Sequence, residues 1–71
     1  MMHYWRELSV GDFFTLPREE RLTEAGDWRP VIYVITEMGT AGVVHYRATH
    51  DSTILRTATI GWVIDHGRDI L

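Results

Sequence analysis

Cysteine is absent from the 71 residues, so neither a disulfide framework nor a cysteine-bearing zinc site can staple a core this small. Lysine, asparagine and glutamine are absent too, and all seven basic residues are arginine. Two origins fit that bias. One is a GC-rich coding sequence, which disfavours the A-rich codons of lysine and asparagine; the other is selection of the planar guanidinium at an interface, where it outperforms an ammonium. No stretch approaches the roughly 20 apolar residues of a membrane helix. The opening segment MMHYWRELSV carries Arg6 and Glu7 where a signal peptide would be uniformly apolar. A soluble, cytoplasmic protein with no membrane association is expected. Basic runs are lacking and the net charge is −3, which weighs against a generic binder of the phosphate backbone.

What is present describes a folded domain. Hydrophobic residues make up 45% and charged residues 24% of the chain, an ordinary globular balance, and three Trp, three Tyr and two Phe argue against disorder. The length allows one domain, residues 1–71, and no second core. Apolar burial barely offsets conformational entropy in chains this short, so a homo-oligomer or a protein partner is expected to contribute stability.

Along the chain, Met1, Tyr4, Trp5 and Leu8 stand at helical spacing and predict an amphipathic turn that plugs the core. Ser9 to Asp12 reads as a bend feeding a first strand, with Phe13 and Phe14 on opposite faces. From Pro17 to Arg29 the sequence PREERLTEAGDWR loses any two-residue period, and it predicts a long excursion between strands 1 and 2. Pro17 as a first-turn residue and Gly26 as a stop leave room there for a short helical turn, and an ordered loop is the alternative.

The stretch from Pro30 to Ile60 reads as two hairpins sharing a strand. A tight turn at Thr40-Ala41, bracketed by Gly39 and Gly42, sets Met38 opposite Val43, Ile35 opposite Tyr46 and Tyr33 opposite Ala48. At the second turn a two-residue loop at Asp51-Ser52 would oppose Arg47 to Arg56, which destabilises a ladder. A three-residue loop is preferred; it pairs Ala48 with Arg56, Tyr46 with Ala58 and Val44 with Ile60. The resulting core face holds Val31, Tyr33, Ile35, Val44, Tyr46, Ala48, Ile54, Ala58 and Ile60, with Arg56 at its rim. After Gly61, Trp62 to Ile64 predict a short last strand.

The same register fills the opposite face with Ile32, Val34, Thr36 and Met38, then Val43, His45, Arg47 and Thr49, then Leu55, Thr57 and Thr59. That is too apolar for a plain solvent face. Either the chain folds its own segments over it or it is an interface, and Ile32, Val34, Met38, Val43, His45, Arg47 and Leu55 are the candidate binding residues.

The remaining constellations carry little chemistry. His3, His45, His50 and His66 lack the spacing of a known ligand motif, so no metal and no cofactor is expected. Ser52 beside His50 and Asp51 has the letters of a catalytic relay, but neighbours on a tight turn splay apart, and Gly39 to Gly42 lacks the ending of a phosphate loop. No catalytic residue is assigned and the expectation is a protein without enzymatic activity. Aromatic rings at Trp5, Trp28, Trp62, Tyr33 and Tyr46, with Arg29, Arg47 and Arg56, leave a single-stranded nucleic-acid-binding barrel as the alternative.

The order of elements resembles the SH3-like small barrels: a Gly11-Asp12 entry into a strand, a polar excursion, three meandering strands and a short terminal strand after Gly61-Trp62. The resemblance spans about Leu8 to Ile64. It implies an all-β fold, a small antiparallel five-stranded barrel serving as a recognition module. In size and character the chain is also similar to small inhibitors carried by phages and other mobile elements, anti-CRISPR proteins among them. That similarity implies a non-enzymatic binding module acting through protein-protein interaction.

Overall fold

The structure, a computed structural model, describes residues 8–71; the expected amphipathic turn at Met1 to Leu8 lies almost wholly outside them. The described chain is all-β with one short helix: β1 (Phe13–Leu22), β2 (Trp28–Met38), β3 (Val43–Ala48), β4 (Leu55–Thr59) and α1 (Ile60–His66). The strands form one antiparallel sheet in the order β1-β2-β3-β4, curled into a half-barrel.

Entry into β1 is set by Gly11, at φ +94°, a conformation glycine adopts without a Cβ penalty. The Asp12 side chain accepts from the Ser9 N–H at 3.0 Å, and Ile35 N–H donates to the Asp12 carbonyl at 2.9 Å, so the ladder with β2 begins before the strand proper. Phe14 and Leu16 then point inward, at 0% and 5% exposure.

The stretch expected as an excursion is instead a long hairpin arm. β1 continues to Leu22 and re-pairs with β2 at Glu20↔Pro30, Arg21↔Arg29 and Leu22↔Trp28, after a register shift between Thr15 and Glu20. Arg18, at φ 66°, marks the bulge, a left-handed conformation costly for a residue with a Cβ. Beyond it both faces of the arm meet solvent, so the strand shows no apolar alternation. A turn at Thr23 to Asp27 closes the arm, with the Asp27 N–H donating to Thr23 Oγ1 at 3.2 Å.

Across β2 and β3 the pairs Tyr33↔Ala48 and Ile35↔Tyr46 stand as the register predicts, but a second bulge between Ile35 and Glu37 moves Met38 opposite Val44. The β3–β4 register is Val44↔Ala58, Tyr46↔Arg56 and Arg47↔Leu55, two residues away from the expected pairing. The loop between them is longer than three residues because Asp51 organises it: its Oδ1 accepts from the Thr53 N–H at 3.0 Å and hydroxyl at 2.6 Å. An even slip keeps every side chain on its face. Val31, Tyr33, Ile35, Val44, Tyr46 and Ala48 are therefore buried as expected, with Ile54, Ala58 and Ile60 packed against them at the margin.

The predicted last strand at Trp62 to Ile64 is helical. Thr59 Oγ1 accepts from the Trp62 N–H at 3.1 Å, satisfying one of the orphan donors of a helix start, and Val63 enters the core at 0% exposure. Four strands are thus present among the described residues, not five. The tail closes the other side: Thr15 and Arg68 exchange backbone hydrogen bonds at 2.9 and 2.8 Å, as do Phe13 and Leu71 at 2.9 Å each, so residues 68–71 line the edge of β1 that β2 leaves free.

Candidate interaction surface

On the convex side the register aligns one row across all four strands: Phe13 opposite Val34, Val34 opposite Arg47, and Arg47 opposite Leu55. Directly opposed residues share a face, so these four side chains form a continuous strip. Val34 is sunk in it at 9% exposure, while Phe13 (43%) and Leu55 (68%) stand at its ends. A second row sets Ile32, 46% exposed, opposite Thr15. The strip opens into a concavity of about 430 Å³ between the hairpin arm and the tail, lined by Phe13, Arg21, Arg29, Pro30, Ile32 and Leu71 among others.

Of the seven candidate binding residues, Ile32, Val34, Arg47 and Leu55 are brought together. Val43 and His45 continue the same face, opposite Thr59 and Thr57 of β4, and are half-buried. Met38 is not part of it. The bulge at Thr36 sets Met38 opposite the core residue Val44, which carries it to the concave side. Phe13 belongs to the surface although the sequence left open which of the two phenylalanines faces out; Phe14, at 0% exposure, is the core one. Arg21 and Leu71 are new to the surface, and Arg29, expected only as a charge for the nucleic-acid alternative, joins it, because each reaches the site through pairing that only the bulged arm and the tail create.

The concave side holds a polar latch at the rim of an aromatic core. The rings of Phe14, Tyr33 and Tyr46 pack with centroids 5.1 to 5.7 Å apart, the spacing at which aromatic pairs attract. The Tyr33 hydroxyl and Arg56 Nη1, the latter at 3.0 Å, both donate to Glu19 Oε1. Burial, and then the hydrogen bond to Glu19, push the Tyr33 phenol up to about 12, and burial also raises Tyr46. A phenol held this far above its usual value stays protonated at neutral pH and acts as a donor. The latch ties the hairpin arm to β4, which is a structural role. Among the described residues no three histidine or acidic side chains converge as metal ligands, and no helix is long and apolar enough to cross a membrane.

No family model matches this chain, and neither the curated proteins nor the solved structures contain a match to it.

Proposed function

We propose that this chain is a non-enzymatic binding module of SH3-like small-barrel type that docks on a protein partner through its convex face. The observation that carries the reading is the strip of Phe13, Val34, Arg47 and Leu55, flanked by exposed Ile32. Apolar side chains with an arginine among them have the composition of an interface centre. Residues 68–71 flank one margin of the strip and leave Leu55 at the other end in solvent.

Its small, acidic, cysteine-free character resembles that of phage and mobile-element inhibitors such as anti-CRISPR proteins, and on that resemblance the partner is a host protein that the module blocks; a second copy of the chain is the other partner this face would accept. The nucleic-acid alternative loses two of its stacking rings, since Tyr33 and Tyr46 are buried.

Ile32→Glu and Leu55→Glu test the reading. Both sites are solvent-facing, so the variants keep the wild-type circular dichroism spectrum while losing partner or self association by light scattering and affinity capture. Unchanged association in folded variants contradicts it, as does salt-dependent binding to single-stranded nucleic acid in a fluorescence titration.

A further inference from the structure

We infer that the concavity beside the hairpin arm recognises an apolar peptide segment that carries a carboxylate, seated between Arg21 and Arg29; this names the partner's chemistry and rests on the docking reading above. Arg21 stands directly opposite Arg29 across the β1–β2 hairpin. Like charges in that position destabilise a ladder unless an anion lies between them. Among the described residues Arg21 makes no ion pair, and Arg29 has one, to Asp27 at 3.9 Å with the two side chains 68% and 62% exposed. An exposed pair at that distance holds its arginine only weakly, so both guanidiniums are available.

Both arginines line the concavity together with Phe13, Pro30, Ile32 and Leu71. An apolar floor with two planar donors at one margin matches a hydrophobic side chain followed by an Asp or Glu carboxylate, which a guanidinium grips through paired hydrogen bonds. Asp69 of the tail also lines the concavity and the whole chain carries −3. That field disfavours a polyanion, so the fit is to a single carboxylate on an apolar segment and not to a nucleic-acid backbone.

The experiment is selection of a phage-displayed random peptide library on the full chain, followed by titration of the enriched peptides against wild type, Arg21→Gln, Arg29→Gln and Ile32→Glu. The expected result is a set of peptides combining Asp or Glu with apolar residues, weakened about tenfold by either arginine substitution, the scale of one lost charged hydrogen-bonding partner, and abolished by Ile32→Glu. Both glutamine variants unfold no earlier in urea than wild type, because each removes a like-charge opposition. Peptides without acidic residues that bind both glutamine variants as well as wild type, yet fail on Ile32→Glu, overturn this inference and leave the docking face standing. Enriched peptides indifferent to all three substitutions, or no enrichment at all, overturn both.

Discussion

The guanidinium of Arg56 lies 5.5 Å from the centroid of the Tyr33 ring, and reaches past it to the Glu19 oxygen that also accepts the Tyr33 hydroxyl. Two residues from different strands thereby fix the hairpin arm to the sheet. Tyr33→Phe removes the hydroxyl and leaves Glu19 short of a donor, at an expected cost of about 1–2 kcal/mol in urea unfolding at pH 8.

Burial of the Tyr33 phenol, reinforced by the same bond, sets a pH dependence. The Tyr33 pKa of about 12 in the folded chain lies above the ordinary 10.0, so the protonated phenol favours the fold. Its contribution is complete below pH 10 and is lost as pH rises through about 12. Wild-type stability falls across that window more steeply than that of Tyr33→Phe; parallel curves would contradict the latch.

Gly67 follows α1 with an ordinary φ of −65°, yet an added Cβ would lie 2.5 Å from the Val63 carbonyl oxygen. The obstacle is backbone, which cannot yield without loosening both the helix end and the tail on β1. Gly67→Ala should destabilise by about 1–3 kcal/mol, the range of overpacking. Gly61, inside α1 with nothing near its Cβ position, is the control: Gly61→Ala should stabilise by roughly 0.5–1 kcal/mol. Thermal melts of the pair read the difference.

Thr59→Ala deletes the hydroxyl that caps α1 and should cost about 1 kcal/mol. A strand at Trp62 to Ile64 would not register this loss, so the substitution also separates the helical from the extended form of that segment.

Arg18 occupies a left-handed conformation at the β1 bulge, which costs an L-residue about 1–2 kcal/mol. Arg18→Gly is expected to raise stability, read as a higher urea midpoint, whereas a fall would place the bulge elsewhere.

Burial decides which features are legible in the sequence. Tyr33, Ile35, Tyr46 and Ala48 alternate because one face of the sheet is dry, so their pairing is readable from period alone. The arm from Arg18 to Leu22 is wet on both sides; nothing imposes alternation on it, and its strand character rests on backbone pairing that composition does not record. The irregularity around Arg18 adds three residues to β1 and the bulge at Thr36 adds one to β2; an odd insertion exchanges the two faces for the rest of the strand, which is why Met38 left the predicted surface. The β3–β4 loop slipped by an even number, so Ala58 kept its side, while Ile60 packs on the core as the first residue of α1. Trp62, Val63 and Ile64 are as apolar as a strand, and it is the Trp62 N–H donating to Thr59 Oγ1 that marks the helix start.

The convex face is tested most directly by placing a photo-crosslinking amino acid at position 32, at position 55, or at the hairpin tip in place of Glu24, in the full chain expressed in cells of its source. One discrete protein adduct is expected from positions 32 and 55, absent from position 24 and suppressed at position 55 by Ile32→Glu. The same adduct from all three positions, or none from 32 and 55, would contradict a docking role for this face.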